Sequence, residues 1–284
     1  MSESSSVERA GEPLDLSLSA AELERHREHI VAFIRNQLDA AGVEEAVLGL
    51  SGGIDSTTTA YLAVEALGAD SVHGLVLPSE VNRDRNMSDA ERVAETLGIS
   101  YDVIEIEPIV DAMLTAVPSV NADADTSSDP LKTAVGNLRV RTRAVLNYFA
   151  ANRRQALVLG TGNRSEALVG YFTKYGDGAV DCHPIANLYK QQVRQLAKHL
   201  GVEDDLAEKT ASAEMWSGQT DAEELGVDYD TLDSILALHV DGPLSTSATV
   251  RTLDVDEDLI EHVRELYERS AHKRQVPPGP EPLY

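Results

Sequence analysis

Apolar positions along this 284-residue chain switch between two periodicities. From residue 19 to 40, Leu23, Ile30, Ile34 and Leu38 fall on one stripe of a 3.6-residue repeat, which predicts an amphipathic helix. Ala46–Leu48, Val72–Leu77, Tyr101–Ile106 and Ala156–Leu159 are short apolar runs, as buried strands require. Helical stretches lie between them: Thr57–Leu67, a second opened by a Ser88/Glu91 capping box and ended by Gly98, and a third from Ala134 to Ala150. Lys190–Leu200 reads as a helix stopped by Gly201, and Leu259, Ile260, Val263, Leu266 and Tyr267 mark a closing helix. Residues 118–130, rich in Ser, Asp, Asn and Pro, read as a surface loop. The acidic stretch 203–227 lacks periodicity and reads as a long loop, of the kind that serves as an active-site lid. Without internal repeat or linker, the alternation predicts one α/β domain over 1–284: a doubly wound, Rossmann-like parallel sheet with helices on both faces and ligands at its carboxyl edge. Residues 1–18 and 277–284 read as tails.

The first strand runs into Gly49-Leu50-Ser51-Gly52-Gly53-Ile54-Asp55-Ser56, and a helix follows. Strand, glycine turn and helix N-terminus form the local geometry that holds a phosphate. Ser51 and Ser56 add hydroxyl donors, and Asp55 places a carboxylate where a divalent cation can bridge it to bound phosphate. The stretch fits neither a Walker A loop, since no lysine precedes Lys132, nor the dinucleotide fingerprint G-x-G-x-x-G. The bland alternative is a glycine turn with a serine cap. The fourth strand leads into Gly160-Thr161-Gly162-Asn163-Arg164-Ser165-Glu166, which presents Thr161 and Glu166 at the same edge, so that Glu166 and Asp55 can share a metal. Downstream, Gly170 to Asp181 mixes aromatics, glycines, Lys174, Asp177 and Asp181 without periodicity, as ligand loops do.

Composition narrows the function. Forty-eight acidic against 24 basic residues give a net charge of −24, a surface that repels nucleic acid. The chain has only six lysines; with the acid excess this reads as adaptation to a halophilic cytoplasm. No apolar run approaches a membrane span and Met1–Pro13 has no signal core, which predicts a cytoplasmic protein. A single cysteine, Cys182, excludes a disulfide framework and a C-x-x-C site, and reads as a small buried side chain.

The Ser51–Ser56 pattern S-G-G-x-D-S resembles the pyrophosphate loop of ATP pyrophosphatases. The run from Gly160 to Asp181, G-T-G-N-R-S-E-A-L-V-G-Y-F-T-K-Y-G-D-G-A-V-D, resembles the central signature of the NAD synthetase family within that group. Asn137–Arg143 is similar to the family's N-[IL]-x-A-R-x-R helix, with Val140 in place of alanine, and Leu188-Tyr189-Lys190 to its L-Y-K segment. Lys209–Trp216 with Gly218–Asp221 resembles the lid, Ala211 replacing the usual proline, and His272-Lys273-Arg274 the C-terminal H-K-R. The resemblance spans about residues 20–276. It implies an ATP-dependent carbon–nitrogen ligase: the carboxylate of deamido-NAD attacks the α-phosphorus of ATP, pyrophosphate leaves, and ammonia displaces AMP to give NAD. It further implies that Gly49–Ser56, Thr161, Lys190 and Ser212 bind ATP. Asp55 and Glu166 would ligate Mg²⁺; Arg141, Lys174, Asp181, His272 and Lys273 would contact deamido-NAD. The implied assembly is a homodimer with deamido-NAD at the subunit interface. In helical projection residues 139 and 143 share a face that 141 opposes. Asp177 is our own candidate for positioning or deprotonating the incoming ammonium, against an ordinary turn aspartate.

Three rivals stay open at this point. Transfer RNA thiolation is disfavoured by the lone cysteine and acidic surface. Another ATP-pyrophosphatase amidotransferase would leave Lys174–Gly178 and His272-Lys273 unexplained. A non-catalytic nucleotide sensor would be expected to lose Asp55 or Glu166. The length leaves no room for a glutaminase domain, so free ammonia is the expected donor.

Overall fold

The apolar runs form a four-stranded parallel sheet in the order β3-β2-β1-β4: β1 Glu45–Leu50, β2 Val72–Val76, β3 Ser100–Val103 and β4 Ala156–Val158. The computed structural model describes residues 16–79, 83–117, 129–212 and 219–283. The helices are α1 Ala20–Ala41, α2 Ile54–Leu67, α3 Arg83–Leu97, α4 Glu107–Ala116, α5 Asp129–Arg154, α6 Arg164–Val169 and α7 Lys190–His199. They continue as α8 Asp204–Ala207, α9 Asp221–Leu225, α10 Tyr229–Ile235, α11 Thr246–Leu253 and α12 Glu257–Arg269.

Side-chain alternation along the strands divides the core into two layers. Ala46, Leu48 and Leu50 of β1 pack with Val72 and Val76 of β2 against α1, α2, α3 and α7. Val47, Leu75 and Val158 point the other way, onto Ile106 and Ala151. Both faces of the sheet are thus covered, as parallel strands demand. A third cluster, built from Val169, Tyr189, Tyr229, Leu232, Ile235, Ile260 and Val263, fastens the C-terminal helices beside α6 and the start of α7.

The chain runs from β1 to β2 to β3 in one direction, then returns to place β4 on the other side of β1. Strand order reverses between β1 and β4, so their following loops diverge and open a crevice at the carboxyl edge. The phosphate-type loop follows β1 and the Gly160–Gly162 loop follows β4, one on each side of that crevice.

Several boundaries differ from the sequence expectation. α3 begins by Arg83, so Ser88 lies inside the helix instead of capping it. α5 extends to Asp129 and Arg154, and β3 ends at Val103. The acidic stretch 203–227 contains the short helices α8 and α9, the latter capped by Thr220, so it is not one aperiodic loop; residues 213–218 lie outside the described residues. Most of the 118–130 loop and residues 1–15 also lie outside them. Residues 16–18 are strapped to α7: the Leu18 amide donates to Gln195 Oε1 at 2.7 Å, and Gln195 Nε2 donates to the Leu16 carbonyl at 3.3 Å. Cys182 is buried with a free thiol, as expected. No helix among the described residues is long and apolar enough to cross a membrane.

Gly170 ends α6 with a φ of 71°, and a Cβ there would lie 2.1 Å from Ser270 Cβ. Gly170→Ala combines a strained backbone with overpacking, so we expect a loss of at least ~1 kcal/mol. Urea denaturation is the check: a lower midpoint at unchanged slope is expected, and a wild-type midpoint would refute the fit.

Candidate active site

After β1 the chain turns through Gly52, whose φ of 71° is left-handed, and enters α2 at Gly53. Gly53 has no side chain to cap the helix, which leaves its N-terminal amides and positive dipole end for a ligand. The serines shape the loop: Ser51 Oγ and Ser56 Oγ lie 3.1 Å apart, the Gly53 amide donates to Ser51 Oγ, and Ser56 Oγ donates to the Gly53 carbonyl. The helix itself has no serine cap, while Ser51 and Ser56 bond within the turn that precedes it.

The second loop is set by close packing. A Cβ on Gly160 would lie 2.6 Å from both Val180 Cγ2 and His183 Nδ1. Asn163, fully buried, then caps α6 by accepting from the Glu166 amide at 3.0 Å, and its Nδ2 donates to Asp55 Oδ1 at 2.9 Å. One residue therefore touches both carboxylates, Asp55 through its side-chain amide and Glu166 through its backbone N–H, 3.5 Å from Oε2. The Asn163-x-x-Glu166 spacing is a capping-box signal that the sequence analysis did not use, and the reach across to Asp55 has no local signal.

Lys190, at the start of α7 and 2% exposed, completes the centre. Its Nζ lies 2.5 Å from Asp55 Oδ2 and 2.9 Å from Glu166 Oε1, and 5.1 Å from the Tyr229 ring centroid. Burial alone would favour the neutral amine, but Asp55 and Glu166 reverse this and hold Lys190 above its ordinary pKa. Burial pushes the Glu166 carboxyl up and Lys190 pulls it down, while Asp55 and Asp221 add repulsion; the net direction is upward. Behind the centre, Ser165 Oγ accepts from the Lys190 amide at 2.9 Å and donates to Asp233, which is fully buried and also accepts from the Gln191 amide. Asp221, 3% exposed, accepts from the Tyr229 hydroxyl at 2.9 Å. Sequence reading missed Asp221, Tyr229 and Asp233, whose importance arises only from long-range contact.

Asp55, Glu166, Lys190 and Asp221 line a cavity of about 900 Å³. Gly49–Ser51, Gly53–Ser56, Thr161, Glu166, Lys190 and Ser212 all border it, with Asp177 and Lys273. The Gly52 carbonyl reaches it through Lys209. The other four candidates lie elsewhere. Arg141 donates to the Lys174 carbonyl at 3.2 Å, and Lys174 Nζ donates to the His272 carbonyl at 2.7 Å, so these three form a chain on the outer surface. Asp181 accepts from the Val158 amide at 2.7 Å and the Tyr148 hydroxyl at 3.1 Å. Arg143, one turn along from Arg139, borders the cavity, whereas Arg139 pairs with Glu107.

Asp177 accepts from the Thr173 amide at 2.7 Å. It is solvent-accessible, yet protein walls surround it, and this dehydration pushes its carboxyl up to about 6, against the pull of its backbone donors, Lys273 and Arg143. A raised carboxyl stabilises the fold below its unfolded pKa and loses that contribution as pH rises through about 6. Asp177→Asn retains an acceptor for Thr173 but cannot ionise. Relative to wild type, the variant should gain stability between about pH 5 and about pH 7.5. Urea unfolding at the two pH values checks this, and a pH-independent difference would contradict it.

The comparisons with known proteins agree with this geometry. The NAD synthase family profile matches residues 26–277. The chain is 60% identical over 268 residues to an NH3-dependent NAD(+) synthetase of Halobacterium salinarum, covering 94% of this chain and 97% of that one. It is 44% identical to one from Thermococcus kodakarensis, covering 89% and 96%. Among solved structures, an NMN synthetase from Francisella tularensis superposes with a TM-score of 0.77 at 33% identity, covering 93% of this chain and 99% of that one. An NH3-dependent NAD synthetase from Campylobacter jejuni, in complex with nitrate, gives 0.73 at 30% identity, covering 91% and 99%. With its phosphate-type loop, its Lys190-centred carboxylate pair and a profile match over nearly its whole length, the chain belongs to the NAD synthase family.

Proposed function

We propose that this protein is an ATP-dependent ligase that amidates deamido-NAD with ammonia, giving NAD, AMP and pyrophosphate. The observation that carries the reading is the convergence of Asp55 and Glu166 on Lys190 Nζ beside an uncapped helix N-terminus. The loop amides and serine hydroxyls bind the phosphates of ATP, with Thr161, Lys190 and Ser212 as further contacts. Lys190 keeps its proton throughout and orients both carboxylates as a fixed cation.

Among the described residues no group of three or more His, Cys, Asp or Glu forms a ready metal cluster. Two carboxylates meeting at one point beside a phosphate site nevertheless suit Mg²⁺, which binds through one or two carboxylates plus substrate phosphates. Asp55 and Glu166 would hold it, and when bound it would offset phosphate charge.

In the first step a carboxylate oxygen of deamido-NAD forms a bond to the α-phosphorus, and the bond to pyrophosphate breaks. In the second, the ammonia nitrogen bonds to the activated carbonyl carbon, AMP leaves, and nitrogen gives up a proton. Asp177, on the cavity wall with a raised pKa, is suited to receive that proton near neutrality.

The outer surface supports a homodimer. Val145 and Phe149 of α5 are 61% and 60% exposed, one helical turn apart, beside the exposed Arg141. A second copy covering this face would bring Arg141, Lys174 and His272 to the dinucleotide at a shared interface. Asp181 belongs to the same dinucleotide set, carried by its family motif.

Product analysis should give AMP and pyrophosphate; ADP would refute attack at the α-phosphorus. Nicotinate mononucleotide belongs in the same assay as a competing acceptor, and preferential use of it would replace deamido-NAD as the substrate. Asp55→Asn and Glu166→Gln should each reduce turnover by about 10²-fold or more while the circular dichroism stays native. Turnover near wild type in either would remove that carboxylate from the mechanism. Phe149→Glu should shift the protein to monomer in sedimentation; an unchanged mass would exclude this face as the interface.

A further inference from the structure

Lys209 has no part in the reaction as set out so far, although it is one of only six lysines. Its side chain is 14% exposed and borders the cavity. Its Nζ donates to the Gly52 carbonyl at 3.2 Å and to Asp89 Oδ2 of α3 at 2.9 Å. Residue 209 thus reaches a turn 157 positions earlier in the chain and sets an ammonium against the phosphate loop.

The chemistry of the site calls for a cation there. Expulsion of pyrophosphate concentrates negative charge on the β and γ phosphates, and the chain has no Walker lysine to receive it. Of the four other cations that border the cavity, three, Arg269 apart, are engaged with protein groups. Lys190 lies between two carboxylates that cancel its charge. Lys273 donates to the Gly170 and Phe172 carbonyls, and Arg143 to the Leu77 carbonyl. Lys209 bonds the backbone of the phosphate loop, at the Gly52 carbonyl, where Lys190 bonds only the side chain of its Asp55. By binding the Gly52 carbonyl it also polarises the Gly52–Gly53 peptide, which strengthens the Gly53 amide as a donor.

We propose that Lys209 is the leaving-group cation of this enzyme: its ammonium exchanges Asp89 for the β and γ phosphates of ATP and stabilises the departing pyrophosphate. Asp89 is the resting partner that keeps the ammonium beside the loop when phosphate is absent. Arg92 lies 3.3 Å from Asp89 and 2.7 Å from Asp205, so it holds Asp89 and balances its charge once the lysine has moved.

This assignment rests on attack at the α-phosphorus, and the test separates the two. ATP–pyrophosphate exchange with deamido-NAD and no ammonia is measured first on the wild-type protein. No exchange there would defeat the α-phosphate reading, and this assignment with it. With exchange established, Lys209→Met preserves the length and packing of the side chain but removes its charge. Inhibition by pyrophosphate should weaken by about 10-fold or more, the scale of a lost charge-assisted hydrogen bond, and exchange should slow, while inhibition by AMP stays within twofold. Asp89→Asn, which breaks the resting pair but keeps the ammonium, should retain pyrophosphate inhibition. Unchanged pyrophosphate inhibition in Lys209→Met would overturn the proposal. So would equal weakening toward AMP and pyrophosphate, or an Asp89→Asn variant as impaired as Lys209→Met, since each would mark a structural tie.

Discussion

The rest of this structure depends on one buried ammonium. Lys190 Nζ joins Asp55 at the start of α2, Glu166 at the start of α6 and its own helix α7 in a single charged knot. Removing three charges from water costs several kcal/mol per ion, so the knot is poor evidence for stability as such. Its value is positional. The two carboxylates belong to loops on opposite sides of the strand-order reversal, and without the cation their repulsion would push the crevice apart. Lys190 lets the protein keep two close carboxylates oriented toward one point before any phosphate or metal arrives.

What secures Lys190 is the helical cluster on the C-terminal side. Tyr229 closes over the ammonium, and Asp233 fixes the first amides of α7, directly at Gln191 and through Ser165 at Lys190. Tyr229 and Asp233 stand on α10, whose remaining buried residues, Leu232 and Ile235, belong to the third apolar cluster. The C-terminal third of the chain is thus a brace for the α7 N-terminus as well as a wall of the cavity. Packing energy spread over many apolar contacts is spent on a geometry that electrostatics alone would not hold.

This division explains what the sequence disclosed. The alternating fold and the two edge loops were legible because their signals are local: strand periodicity, glycines at tight approaches, a carboxylate in the first turn of a helix. The Ser88 cap failed for the opposite reason, since a correct local motif lies within a helix that already begins by Arg83. Asp233 left no sequence signal, and Asp221 only its place at the end of the lid motif, because an aspartate at a short helix looks the same whether it faces solvent or a buried tyrosine or serine. Arg141, Lys174 and His272 are informative in another way. The family motifs select them, yet within one chain they stand outside the cavity, bonded to one another's carbonyls. Residues that serve a shared interface are expected to look like this in a single subunit.

Lysine scarcity makes the same point from composition. In a chain of net charge −24, an exposed lysine adds little against a general acidic field, and arginine supplies most surface pairs. A lysine at the phosphate site is different, because a compact ammonium on a flexible stem can leave one oxygen ligand for another as charge moves. Lys190, Lys209 and Lys273 all border the cavity, and each holds oxygen ligands. They differ in how firmly they are held. Lys190 is locked between two carboxylates and serves geometry. Lys273 clamps the backbone of the Gly170–Phe172 turn. Lys209 holds the Asp89 carboxylate and the Gly52 carbonyl, ligands that a polyphosphate, richer in charge than either, can displace. The acidic surface thus leaves the few lysines as the features of the composition that report most directly on the chemistry.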